Sequence, residues 1–294
     1  MKGPGWSDRE PASPFFVDSE VERLLRVLLW WPPDSLADID DPSAHLMRSK
    51  PDLVRMRAQC SALVRAYEGA GVDVVLCRAP APPNAIFVRD LFTMSPRGAW
   101  TARMATQQRR GEEGPLLRQL AALDVPVLGC PVVETFEGAD LLYAGPSDLL
   151  LGVGQRTSAV AALSAFAGLQ GLRVHPVPVP AGCQHLLGAV TFFDRRRALV
   201  RTERVEDAVL EALRALAIDI VPVPEGPEVH EGRGMNLVAL APGRVLMPAD
   251  CPRIKGLLED EGVHVLSADV SEYLAADGGI GCLTGILSRE KSTP

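Results

Sequence analysis

Gly278-Gly279-Ile280-Gly281-Cys282-Leu283-Thr284, close to the C-terminus, is the stretch from which the rest of the chain is read. Two glycines, a spacer, a third glycine and a cysteine describe a loop that brings backbone close to a ligand and holds a sulfur at its tip. Four earlier stretches fit around that sulfur: Asn84 to Asp90, Phe136 to Asp140, His185 with its flanks, and Gly234-Met235-Asn236. Asp90, Glu137, His185, Asn236 and Cys282 stand 47, 48, 51 and 46 residues apart by subtraction of their numbers. A period of roughly 50 residues predicts a repeat architecture closed on itself. Equivalent positions of such an array converge on one axis, so residues far apart in sequence would line one central cleft. Chance spacing of elements in an α/β chain is the alternative.

The stretches between these positions carry the same rhythm. His45 to Gly71 has helical spacing, with Leu53, Met56, Cys60, Leu63 and Tyr67 along one face. Val72 to Cys77 is a β-type run. Ala85 to Met94 and Ala99 to Met104 are two more, joined by the turn Ser95-Pro96-Arg97-Gly98, and Gly114 to Leu123 is a helix. The next cycle has Pro126 to Glu134, then Asp140 to Tyr143 and Leu149 to Val153 around a turn, then a helix over Thr157 to Gly168. Two further cycles follow, the first with β-type runs Leu187 to Phe193 and Ala198 to Arg201 around a turn, and with helices over Val205 to Ala217 and Pro252 to Glu261. Each reads as strand, hairpin, helix, and the key residue falls near the start of the hairpin.

Composition narrows the function. The 294 residues are 47% hydrophobic and 23% charged, as expected of a soluble globular chain. A net charge of -7 argues against a nucleic-acid partner and suits a small cationic one. No apolar run approaches the roughly 20 residues needed to span a membrane. The longest, Leu24 to Trp31, is interrupted by Arg26, and Met1 to Pro14 lacks the pattern of a signal peptide. The six cysteines are scattered without a C-x-x-C pair, so neither a zinc site nor a disulfide framework is indicated. Cytoplasmic thiols are expected, in a monomer or homodimer with no membrane association. Residues 1 to 18 are expected to be loose and residues 19 to 294 to form one catalytic domain.

The chemistry rests on four side chains. A thiolate is a nucleophile, and a neighbouring cation or His can supply it at Cys282. His185 follows a turn-like approach and suits general acid and base work; a hydrogen-bonded strand-end residue is the alternative. Glu137, in Phe136-Glu137-Gly138-Ala139-Asp140, can orient an imidazole as the third member of a triad does; a plain acidic turn is the alternative. Asp90 ends an apolar run ending in Arg89-Asp90. It is either a local ion pair or a buried carboxylate awaiting a guanidinium's planar fork.

Together these stretches resemble the guanidino-modifying, or pentein, superfamily, which includes arginine deiminases, dimethylarginine dimethylaminohydrolases and amidinotransferases. The resemblance rests on Phe87-Val88-Arg89-Asp90, Glu137-Gly138-Ala139-Asp140, Arg156-Thr157, His185 and Gly278-Gly279-Ile280-Gly281-Cys282-Leu283-Thr284, all in the family's order over roughly residues 20 to 290. It implies a five-bladed α/β propeller with the site on its axis and no metal or organic cofactor. It further implies that Cys282 attacks the guanidinium carbon, that His185 protonates the leaving amine and then activates water, and that Glu137 orients His185. Asp90 would hold guanidinium nitrogens, while Asn84 and Arg156 would contact the amino-acid end of the substrate. Asp140 and Arg89 are carried along as substrate-binding candidates.

Two departures shape the functional expectation. Deiminases and amidinotransferases usually place an acid two residues after the His, whereas this chain has Leu187 and so resembles the methylarginine hydrolases, which also lack that acid. The Arg that deiminases place before the cysteine loop is absent from residues 275 to 281, and Ala139 stands where hydrolases commonly have Gly. The expected activity is hydrolysis of a guanidino compound to a ureido product plus ammonia or an alkylamine. An amidinotransferase is the second reading, and a non-catalytic cation- or protein-binding propeller the third. The charge run Gln107 to Glu113 is read as a solvated lid or loop.

Overall fold

In a computed structural model, which describes residues 14–131, 134–158 and 171–292, the apolar runs of the sequence become five three-stranded sheets. The strands in chain order are β1 (Leu24–Trp30), β2 (Asp73–Cys77), β3 (Phe92–Ser95), β4 (Gly98–Thr101), β5 (Val127–Gly129), β6 (Leu141–Gly145), β7 (Asp148–Val153) and β8 (Arg173–Pro178). They continue as β9 (Val190–Asp194), β10 (Arg197–Val200), β11 (Asp219–Pro222), β12 (Val238–Ala241), β13 (Arg244–Pro248), β14 (His264–Ala268) and β15 (Gly285–Arg289). The sheets run β3-β4-β5, β6-β7-β8, β9-β10-β11, β12-β13-β14 and β15-β1-β2. In each, the first two strands are antiparallel and the third joins parallel to the second.

The parallel step needs a crossover, and a helix supplies it. Leu53–Gly69 links β1 to β2, Glu113–Ala122 links β4 to β5, Asp207–Ala215 links β10 to β11, and Pro252–Asp260 links β13 to β14. The first of these follows the sequence pattern closely. Met56, Cys60, Leu63 and Tyr67 are buried along one face, and the Asp52 carboxylate accepts the backbone N–H groups of Val54 and Arg55 at the start. The helix expected over Thr157 to Gly168 falls, from residue 159 on, outside the described residues.

The fifth sheet closes the ring. The C-terminal strand β15 takes the place of a hairpin partner for β1, pairing Val27 with Ile286 and Leu28 with Gly285. A blade is therefore hairpin, helix, strand, and the strand that opens each cycle of the sequence belongs to the preceding blade. Two buried apolar clusters fill the ring. One holds Trp30, Tyr67, Phe92, Phe136 and Leu287, and the other Phe193, Leu199, Leu213 and Met247.

Three local expectations change. Ala85 to Met94 is not one β-run: Pro83–Ile86 and Val88–Leu91 are helical turns, and the strand begins at Phe92. Leu187 to Phe193 likewise begins with a helical turn, Leu186–Gly188, before β9. Residues 14 to 18, read as part of a loose N-terminus, pack against the closing blade. Phe15 and Val17 are buried, and Phe16 accepts the backbone N–H of Arg289. Among the described residues, no helix is long and apolar enough to cross a membrane.

Candidate active site

The five spaced residues occupy equivalent places in the ring, each just before the first strand of a blade. Asp90 lies in the turn before β3, Glu137 and His185 start the turns before β6 and β9, and Asn236 precedes β12. Cys282 sits in the helical turn Ile280–Leu283 before β15, not at the tip of an open loop. Glycine makes two of these turns possible by close approach. A Cβ at Gly138 would lie 2.6 Å from the carbonyl oxygens of both Arg89 and Phe92, and one at Gly279 would lie 2.8 Å from Asn236 Cβ.

Asn84, Asp90, His185, Leu187, Asn236 and Cys282 line one cavity of about 750 Å³, counting its open mouth. Asn236 holds the cysteine at both ends: its Nδ2 lies 3.0 Å from Cys282 Sγ, and its Oδ1 accepts the Cys282 N–H at 2.9 Å. His185 Nε2 and Glu137 Oε2 are 2.7 Å apart, and the other ring nitrogen faces Asp90 Oδ1 at 3.7 Å. Asp90 Oδ1 and Asn84 Oδ1 are buried acceptors without a hydrogen-bond partner among the described residues. The turn that carries His185 is tied down by Asp140, whose carboxylate accepts the Leu186 N–H at 2.8 Å and the Thr157 hydroxyl at 2.7 Å.

Charge in this cluster is set by burial and close pairing. Burial opposes a charged His185, but the carboxylates of Asp90, Asp140 and Glu137 outweigh it and carry the imidazole up to about 9. Burial likewise opposes a charged Glu137, yet the His185 hydrogen bond and the charges of His185, Arg109 and Arg156 bring it down to about 2. Burial and the nearby Asp90 push the Cys282 thiol up to about 11, against the opposing Asn236 hydrogen bond. The substrate-free site thus holds an imidazolium, a glutamate and a neutral thiol at neutral pH.

The other expected residues are placed as follows. Asn84 lines the cavity, and its Nδ2 donates to His45 O. Arg156 stands behind the cavity wall, 3.6 Å from Glu137 Oε1 and donating to Gln184 Oε1. Asp140 is fully buried beneath the His185 turn and is not among the lining residues. Arg89 points to the other side of the ring, where it pairs with Glu20 at 2.9 Å. The Gln107 to Glu113 run is no solvated lid at its centre. Arg109 and Glu112 are buried, and Arg109 Nη1 bonds Asp90 Oδ2 at 2.6 Å while Nη2 bonds Glu112 Oε2 at 2.9 Å.

Arg109 was legible in one respect: it stands 19 residues after Asp90, as Arg156 stands 19 after Glu137. The position of Asn236 follows from the same period, and its two bonds to Cys282 come from the structure. Arg233 had no sequence signal. It lines the cavity near Asp277, to which it donates, and its buried Nε has no partner among the described residues.

Asp90, Glu137 and His185 bring three ligand atoms within 4.8 Å of one another. They do not suit a metal. His185 Nε2 is committed to Glu137, and the Arg109 guanidinium lies 2.6 Å from Asp90 and 3.9 Å from Glu137, where a dication would meet a fixed positive charge.

No protein-family model matches the sequence. The fold aligns with a solved dimethylarginine dimethylaminohydrolase from Pseudomonas aeruginosa at a TM-score of 0.73 and 24% identity, covering 90% of this chain and 99% of that one. It aligns with an amidinotransferase from Microseira wollei at 0.74 and 16% identity, covering 95% and 98%. The chain thus shares the five-sheet α/β fold of these guanidino-modifying, or pentein, proteins. Among curated relatives, it is 27% identical over 250 residues to the dimethylarginine dimethylaminohydrolase of P. aeruginosa, covering 82% of this chain and 91% of the relative. It is 28% identical over 242 residues to the corresponding protein of Streptomyces coelicolor, covering 82% and 89%.

Proposed function

We propose that this protein hydrolyses a guanidino compound, with Cys282 as nucleophile, to give a ureido product and ammonia or an alkylamine. The observation that carries the reading is the cavity in which Cys282, His185 and Asp90 meet, with Glu137 bonded to His185 from behind. The relatives' names point to the same chemistry.

A guanidinium docks with its N–H groups on Asp90 Oδ1 and Asn84 Oδ1, the two unpaired acceptors. Its positive charge offsets the effect of Asp90 on the thiol, and Cys282 loses its proton to solvent. The thiolate attacks the central carbon and a C–S bond forms. His185, an imidazolium at neutral pH, gives its proton to the leaving nitrogen as the C–N bond breaks. The neutral imidazole then takes a proton from water. Hydroxide adds to the same carbon, the C–S bond breaks, and the ureido product leaves. Glu137 keeps the ring in one orientation throughout.

Leu187 supports an N-substituted guanidine. It lines the cavity, where an acid would instead bind an unsubstituted nitrogen. The test is a mass-spectrometric turnover panel of arginine, mono- and dimethylarginine, guanidinobutyrate and agmatine, each with and without an amine acceptor. A ureido product in plain buffer is the expected result. Product formed only when an amine is present would make the protein an amidinotransferase. No product with any compound, together with a Cys282 that a cationic haloamidine fails to alkylate at pH 7, would overturn the enzymatic reading.

A further inference from the structure

A second cavity, of about 340 Å³ counting its open mouth, lies behind the first, and Leu187 lines both. Its walls are largely apolar, with Leu142, Phe192, Leu237 and Ile286, yet two arginines, Arg89 and Arg289, line it as well. Arg89 is 5% exposed and Arg289 2%. The Arg89 Nη2 atom bonds Glu20 Oε1 at 2.9 Å and Leu141 O at 3.2 Å. The Arg289 Nη1 atom bonds two carbonyls, Glu22 O at 2.6 Å and Ala239 O at 2.8 Å. The Nε atoms of both arginines are buried and have no partner among the described residues.

The charges do not balance. Glu20 is the only carboxylate among the described residues that line the cavity. The carboxylate of nearby Glu22 is taken by Arg195, at 2.6 and 3.0 Å. Among the lining groups, two guanidiniums against one carboxylate leave one positive charge in largely apolar surroundings. Burial is the main cause that brings Arg289 down to about 10; Glu20 and Glu22 oppose it and the repulsion of Arg89 adds to it, which still leaves Arg289 a cation at neutral pH. Burying an unpaired charge and unsatisfied donors is costly unless a counter-charge accompanies them.

We propose that this cavity binds one small monovalent anion, of the halide or nitrate class, held between Arg89 and Arg289. The valence follows from the single uncompensated charge. The preference for a weakly hydrated ion follows from the apolar walls, which return no hydrogen bonds to a strongly hydrated one. The site is separate from the guanidino chemistry and stands or falls without it.

The test is thermal unfolding at constant ionic strength, with gluconate replaced stepwise by bromide or nitrate. A ligand that binds only the folded state stabilises by RT ln(1 + [L]/Kd). At about 2.1 cal/mol/K of unfolding entropy per residue, Tm should rise by about 2 °C for each tenfold increase above Kd. Arg289→Met should abolish that slope. Should that variant not fold, a bromide-soaked crystal of the unaltered protein decides by anomalous scattering, with a peak expected against both Nε atoms. A Tm indifferent to the anion, or anomalous peaks confined to the surface, would mean that water alone satisfies the two donors and would overturn the proposal.

Discussion

Replacing Glu137 by Gln removes one negative charge and keeps the shape of the side chain. His185 stands at about 9, against an ordinary 6.5, because three carboxylates together outweigh its burial. At ~1.36 kcal/mol per pH unit, the whole effect is worth about 3 kcal/mol in favour of the imidazolium. Glu137 contributes twice, as a charge and as the hydrogen-bond acceptor at 2.7 Å. Its loss should lower the His185 titration midpoint by roughly one to two pH units. Turnover should fall by roughly 10²–10⁴-fold, because the amide no longer fixes the ring or stabilises its charge. Stability should respond with a defined sign. The His185 contribution is complete below pH 6.5 and lost as pH rises through about 9, because its folded-state value is raised. The Glu137 contribution is complete above 4.5 and lost as pH falls through about 2, because its value is lowered. The variant should therefore lose most stability relative to the parent between pH 4.5 and 6.5. The assays are NMR titration of ring-labelled histidine, thermal unfolding against pH, and kcat on the substrate found by the panel. A His185 midpoint still near 9, with unchanged turnover, would refute the orienting role.

Further outcomes follow from the same geometry. Alkylation of Cys282 by neutral iodoacetamide should be slow at pH 7 and speed up towards about 11, whereas a cationic haloamidine should react faster at pH 7; equal rates would break the link to Asp90. Leu187→Asp should shift preference from dimethylated towards unsubstituted guanidines by about tenfold or more, read as a ratio of kcat/KM values. Arg233→Met removes a donor whose Nε lacks a partner, and should raise KM about tenfold or more for carboxylate-bearing substrates while leaving agmatine unaffected. Gly138→Ala forces a methyl to within 2.6 Å of two carbonyl oxygens and should cost about 1–3 kcal/mol in denaturant unfolding.

The sequence by itself determined the period and the residue types. A Cys, a His and three acids or amides recur at intervals of 46 to 51 residues, and the closed ring brings Asp90, His185, Asn236 and Cys282 to one cavity with Glu137 bonded to His185. The crossover helices were legible for the same reason. Apolar positions such as Met56, Cys60, Leu63 and Tyr67 repeat at the helical period, a local property of the chain. The turns that carry Asp90 and Cys282 were misread, because an apolar run of strand length and a glycine-rich loop both fold as one helical turn when neighbouring blades crowd them.

Only the tertiary structure decided which side of the ring each charge faces. Arg89 and Asp90 are neighbours in sequence, yet one turn sends Asp90 to the cavity of Cys282 and Arg89 to the second cavity behind it. Asp140 likewise became a support for the His185 turn, since its bonds to Leu186 and Thr157 bury it below the cavity wall. Arg109 left the solvent because Asp90 and Glu112, 19 residues before it and 3 after, meet around its guanidinium. Spacing reports which residues share a phase of the repeat. The direction of a side chain depends on the partners that remain unpaired around it once the ring closes.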